Sequence, residues 1–250
     1  MHQFYNRASS GRFDIKDEAG IYNIYLDGMI GAYEGIQSAD FVREVHNLRA
    51  NQPIALHINS EGGNVFQAVD IFNALKRHSG RITAYINGLA ASAASYIAMA
   101  ADEIIMGMGS QIMIHDAAGP FFGNSEQLDQ FKKDLERVSD SIASFYSYRA
   151  GGTVAEWRKR MKAETWYNAE EAVRAGLADK AEGTALNVQD IALRNLSLSN
   201  CGFKYLGREE APDPFVSSES QMVDNFNDTA STAESVDLIS LFKSALKEAS

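Results

Sequence analysis

Gly88-Leu89-Ala90-Ala91-Ser92-Ala93-Ala94-Ser95 decides the reading of this chain. An apolar run, Ile82 to Ile86, leads into it, and alanines surround one hydroxyl where a strand is expected to pass into a helix. Such small neighbours leave the Ser92 Oγ open to a substrate, and the first amides of the helix stand beside it to stabilise an oxyanion. Downstream, Gln111-Ile112-Met113-Ile114-His115-Asp116 brings a histidine to the end of another apolar strand. A nucleophilic serine needs a general base of that kind. Upstream, Ile58-Asn59-Ser60-Glu61-Gly62-Gly63 closes a third strand with two glycines, so the backbone can turn sharply and offer amides to a carbonyl oxygen.

These blocks resemble the proteolytic subunit of the Clp protease family, with its Ser-Pro-Gly-Gly turn, Gly-x-Ala-Ala-Ser nucleophile and Met-Ile-His strand. Order and spacing match, and the similarity runs from about Ile21 to Glu182. The nearest resemblance is to the divergent enzymes that phages and prophages encode as head maturation proteases. Singly, each motif is weak; three in order with a fourth downstream are not. The fourth block, Glu164-Thr165-Trp166-Tyr167-Asn168-Ala169-Glu170-Glu171-Ala172, resembles the segment in which the family's catalytic aspartate stands five residues before an alanine. Here that position is Glu164, one methylene longer, and Asp116 and Asp179 are its rivals. Asp116 adjoins His115 in an expected strand, where neighbours point to opposite faces. Glu61 stands where the family usually has proline.

The resemblance implies an α/β fold, the ClpP/crotonase-like spiral of strand-strand-helix units with a projecting handle helix. It implies a serine endopeptidase in which Ser92 attacks, His115 moves the proton, Glu164 orients the imidazole, and the Gly63 and Ala93 amides form the oxyanion hole. Partners implied are a polypeptide substrate, phage capsid or scaffold proteins among them, other copies of the chain in homo-oligomeric rings, and an AAA+ unfoldase. No Walker motif is present, so ATP hydrolysis would belong to another chain. Two other readings stay open: a crotonase-like acyl-CoA enzyme, which does not need Ser92 and His115 together, and a catalytically idle assembly scaffold.

The chain itself supports the α/β expectation. Ile21 to Ile30 alternates as a strand, Ile54 to Ile58 makes the next, and Val65, Ala68, Val69, Phe72 and Leu75 recur at helical spacing behind Asn64 as N-cap. Ile104 to Met106 and Ile112 to Ile114 are two further short apolar runs. Leu128, Phe131, Leu135, Val138, Ile142 and Phe145 step by threes and fours, predicting one long amphipathic helix over Asn124 to Arg149, with a shorter helix around Trp157. The domain reading is an N-terminal segment over 1–20, a protease domain over 21–190, an acidic disordered linker over 191–235 and a short amphipathic helix over 236–250. Eight acidic residues and no lysine or arginine fall between Glu209 and Asp237, which carries the linker reading.

Composition sets outer limits. With 45% hydrophobic residues in 250, one substantial core is expected rather than two equal domains. A formal charge of −10 argues against a nucleic-acid surface. One cysteine, Cys201, forms no internal disulfide and reads as a bystander, so the expected compartment is the cytoplasm. The N-terminus does not read as a signal peptide, and the closest approach to a membrane span, Ile82 to Ala101, is broken by Asn87, Gly88 and serines. No cofactor is expected and no metal, because His2, His46, His57 and His78 form no ligand spacing with one another or with Cys201. Ser95, a helical turn beyond Ser92, is the reserve nucleophile and suits packing better.

Overall fold

The computed structural model describes residues 11–31, 35–182, 198 and 201–215. The chain divides into two compact units, Met1–Pro212 and Asp213–Ser250. All the described strands and helices belong to the first. Of the second only 213–215 are described, where the Phe215 amide donates to Asp213 Oδ1. The acidic stretch beyond 215 and the expected helix over 236–250 lie outside the described residues.

Eight strands form one sheet. The antiparallel hairpin of β1 (Arg12–Glu18) and β2 (Ile21–Asp27) leads into parallel β3 (Ile54–Ser60), β4 (Ile82–Ala91), β5 (Glu103–Met106) and β8 (Lys180–Ala181). Off that path, β6 (Gln111–Ile114) runs parallel to β4 and antiparallel to β7 (Thr165–Asn168). Six helices complete the unit among the described residues: α1 (Ser38–His46), α2 (Val65–Arg77), α3 (Ala93–Ala98), α4 (Ser125–Ala150), α5 (Val154–Ala163) and α6 (Ala169–Arg174).

The alternation predicted for residues 21–30 is real: Tyr22, Ile24 and Leu26 are buried while Asn23, Tyr25 and Asp27 face the other side. On that other side Tyr25, His57 and Tyr85 occupy partnered positions of β2, β3 and β4, and their rings stack at 4.6 and 5.1 Å. His57 is thus part of an aromatic ladder, a packing role.

Strand β4 changes partners along its length. Thr83–Ile86 pair with β5, whereas Leu89–Ala91 pair with β6. The change coincides with a register shift against β3, where Ile58 pairs with Ile86 but Ser60 with Ala90. Asn59 fills the gap, its Oδ1 accepting the Leu89 amide at 3.2 Å. A side chain there replaces a missing rung of the ladder. The strand expected over 82–86 therefore runs on to Ala91, and α3 after it has only 6 residues.

Asn64 caps α2 by accepting the Gln67 amide at 3.1 Å. The predicted long helix is α4, started by a reciprocal capping box between Asn124 and Gln127. At 26 residues it is about 39 Å long. Its buried residues, Ser139, Ile142, Ala143 and Tyr146, all lie in its C-terminal half. The N-terminal half leaves Leu128 about half exposed, and Phe122 just before it is 95% exposed. The base of α4 is tied down by Arg158 on α5, whose buried guanidinium pairs with Asp116, Glu136 and Asp140.

Two boundaries differ from expectation. Residues 12–18, assigned to an N-terminal segment, form β1 and place Phe13 against Phe41 of α1. Leu198 and residues 201–212, assigned to the linker, pack on the domain: Leu198 and Ala211 are buried with Leu89, Ala91, Met113 and Trp166, and Phe203, Tyr205 and Leu206 cover them. Apolar side chains in this stretch outweigh the acidic composition that begins at Glu209.

Candidate active site

Ser92 sits on the turn between β4 and α3 with φ 52° and ψ −122°. That lies outside the conformations open to an ordinary L-residue, so the turn is strained. What holds it is dense packing. Ala90, Ala91, Ala93 and Ala94 are all buried, and the Ser92 amide donates to Met113 O at 2.9 Å. Ser95 is fully buried and bonds to Ser92 O at 2.6 Å and to the Tyr146 hydroxyl at 2.7 Å. Its hydroxyl braces the elbow, as its depth in the helix suggested.

His115 follows β6 directly, and β6 lies beside the last residues of β4. This adjacency brings the imidazole to the serine: His115 Nε2 lies 2.7 Å from Ser92 Oγ. Burial holds the His115 pKa below its ordinary value, opposed by the nearby charges of Glu164 and Asp116. A neutral imidazole can accept the hydroxyl proton.

The Gly-Gly turn closes over the elbow. A Cβ on Gly62 would stand 2.6 Å from Ala91 O, 2.7 Å from Ala93 N and 2.8 Å from Ser92 Cβ, so the backbones approach as only glycine permits. Gly62 and Gly63 have φ of 93° and 140°. Ser60 pins the turn, donating to Gly28 O at 2.6 Å and accepting the Gly62 amide at 3.0 Å. Gly63 and Ala93 line one cavity of about 310 Å³ with Ser92, His115 and Phe203. Glu61 also lines it, with Oε2 buried and without a hydrogen-bond partner, and burial raises its pKa.

Glu164 terminates α5 in the left-handed conformation, φ 54° and ψ 79°. Its carboxylate accepts the Lys204 amide at 2.7 Å, the Tyr205 amide at 2.9 Å and the Trp166 indole N–H at 3.2 Å. It makes no hydrogen bond to His115; its influence there is electrostatic. The rivals are engaged elsewhere. Asp116 pairs with Arg158, and Asp179 accepts the Ile104 amide at 2.7 Å and pairs with Arg149. Sequence reasoning missed Phe203, whose ring meets His115 edge-on at 5.6 Å, and Cys201, which lines the cavity. The signal was the apolar run Phe203, Tyr205, Leu206 inside a stretch read by its charge.

The sequence model of the Clp protease family matches residues 33–184, more than half of the chain. The chain belongs to the Clp protease family. Among curated relatives it is similar to the ATP-dependent Clp protease proteolytic subunit 2 of Pseudomonas aeruginosa, 25% identical over 154 residues that cover 60% of this chain and 77% of that one. It is also similar to the ATP-dependent Clp protease proteolytic subunit 1 of Protochlamydia amoebophila, 30% identical over 133 residues that cover 52% of this chain and 65% of that one. Among solved structures, a ClpP1 mutant from Listeria monocytogenes shares the fold with a TM-score of 0.56 at 22% identity, over 67% of this chain and 93% of that one. The α/β architecture expected from the sequence is therefore the ClpP-like fold. Among the described residues no helix is long and apolar enough to cross a membrane, and no group of three histidine, cysteine, aspartate or glutamate side chains is placed to hold a metal ion.

Proposed function

We propose that the protein is a serine endopeptidase, and the observation that carries this reading is the 2.7 Å contact between Ser92 Oγ and His115 Nε2 at a strained elbow. Ser92 Oγ attacks the scissile carbonyl as His115 Nε2 takes its proton, and the carbonyl oxygen, now negative, is met by the Gly63 and Ala93 amides. Collapse of the tetrahedral adduct breaks the C–N bond, and His115 returns the proton to the departing amine. Water then repeats the sequence on the acyl-enzyme. Glu164 is the acid of the triad, and its charge favours the imidazolium that forms in each step.

Cleavage needs an extended substrate backbone, so the targets are unfolded or flexible segments. Membership of the family supports a homo-oligomeric ring with polypeptide substrates, and the exposed half of α4 supports contact between rings. Within that frame the protein acts in phage capsid maturation, on capsid or scaffold proteins, or in protein degradation, hydrolysing no ATP itself and accepting substrate from an unfoldase where one is present. The test incubates purified protein with candidate capsid and scaffold proteins, maps the cuts, and repeats the incubation with Ser92→Ala. Loss of cleavage by about three orders of magnitude or more is expected in the variant. Cuts that persist in Ser92→Ala remove Ser92 from the mechanism, and acyl-CoA turnover without peptide cleavage replaces the reading with a crotonase-like one.

A further inference from the structure

The family match ends at residue 184, yet the chain returns to the site after it. Residues 201–212 are anchored at one point by charge. The Arg208 guanidinium grips Glu171 of α6 with two bonds, Nε to Oε2 at 2.6 Å and Nη2 to Oε1 at 2.7 Å. Two-pronged pairing of this kind fixes direction as well as charge. Gln111, almost fully buried in β6, accepts the Arg208 amide at 3.0 Å and donates to Glu209 at 3.1 Å. From this anchor the segment reaches both partners of Ser92. Lys204 and Tyr205 supply two of the three N–H groups that hold the Glu164 carboxylate, and Phe203 stands edge-on to His115 at 5.6 Å and to Trp166 at 6.0 Å.

We propose that residues 201–212 form a latch that positions the acid and base of the active site, the Lys204 and Tyr205 amides fixing Glu164 and Phe203 backing the imidazole of His115. The proposal rests on the serine mechanism above and extends it beyond the part of the chain that matches the family. Glu164 stands at the end of a helix in a left-handed conformation, and without these amides a nearly buried carboxylate loses two of its three donors and must turn to find others. Misplacement by about 1 Å costs roughly a hundredfold in rate when it falls on a reacting constellation. Phe203 also forms part of the wall of the cavity that holds His115. The charged or titratable groups around the imidazole are Glu164, Asp116, the latter already paired with Arg158, and Glu61, Cys201 and Tyr146 on the shared cavity wall, and burial is the largest influence on His115. Opening that wall therefore moves the imidazole toward its ordinary value, upward.

The test uses the full chain and the rate at which a fluorophosphonate labels Ser92, followed against pH, together with hydrogen exchange at the Lys204 and Tyr205 amides. Arg208→Ala, remote from the reacting atoms, is expected to speed exchange at both amides and to slow labelling about tenfold or more. Phe203→Ala is expected to slow labelling and to shift its acidic limb upward by about half a pH unit or more, while Phe203→Leu restores most of both. Unchanged labelling in Arg208→Ala with exchange accelerated overturns the latch, as does faster labelling, which would make the segment a cover. If Arg208→Ala does not fold, the Phe203 pair decides: equal rates and equal pH limbs in wild type, Phe203→Ala and Phe203→Leu overturn the proposal. A wild-type protein that takes up no label at all refutes the serine mechanism and the latch with it, whereas a labelled wild type with indifferent variants refutes the latch alone.

Discussion

The strain at Ser92 can be measured by comparing two inactive variants, Ser92→Ala and Ser92→Gly. Both remove the hydroxyl and its 2.7 Å bond to His115, so that loss cancels between them. What differs is the backbone. Alanine must keep φ 52° and ψ −122° at a cost of about 1–3 kcal/mol, whereas glycine reaches them freely. Against this, glycine has more unfolded-chain entropy to lose, about 0.4–1 kcal/mol. The difference leaves Ser92→Gly the more stable by about 1 kcal/mol, which for a folded unit of this size, Met1–Pro212, is about 2–4 °C in Tm. The assay is calorimetric unfolding of both variants at one concentration, after light scattering has shown equal assembled mass. An alanine variant that melts at or above the glycine variant refutes the strain, because the elbow would then hold Ser92 in a conformation that costs nothing.

Two further outcomes are expected. Because burial depresses the His115 pKa below 6.5, the neutral base persists to lower pH: Ser92 labelling should rise through a midpoint below 6.5 and stay level above it, and folding stability should weaken as pH falls from 6.5 through that midpoint, since the unfolded chain binds the proton first. A midpoint above 7 in a pH–rate profile contradicts the burial argument. Glutamates at Phe131 and Val138 on α4 should lower the assembled mass in light scattering, because a charge in a dry helix interface costs several kcal/mol when unpaired; unchanged mass assigns the stripe to packing within the chain.

The elements that position Ser92 and His115 were legible because each ends an apolar strand whose length and alternation fix it locally. The Asn64 cap and the start of α4 at Asn124 were legible for the same reason, their side chains acting within three residues. The antiparallel strand β1 was not, since Phe13 and Ile15 alternate too briefly to stand out until β2 is beside them. Helix α1 also escaped notice, its apolar face being little more than Phe41 and Val45. At the site, Glu164 was singled out by its spacing from Ala169, but its surroundings were hidden. Glu164 is met by amides forty residues later, and a backbone N–H carries no residue type for a motif to register.

The passage of β4 from one partner strand to another divides the site by timescale. Ser92 is carried at the end of a ten-residue strand hydrogen-bonded on both edges, so its amide is released to solvent only when the core of the domain opens. Glu164 depends on a short segment laid on the surface of the domain, packed through Phe203, Tyr205, Leu206 and Ala211 and anchored by the Arg208–Glu171 pair and Gln111, which can detach while every central strand stays formed. On the proposed mechanism, catalytic competence and foldedness are then separate properties of this chain. Under the proposed latch, a preparation with native circular dichroism and an intact elbow would still contain molecules in which Glu164 is unsupported, in a fraction set by the free energy of local opening rather than by that of global unfolding.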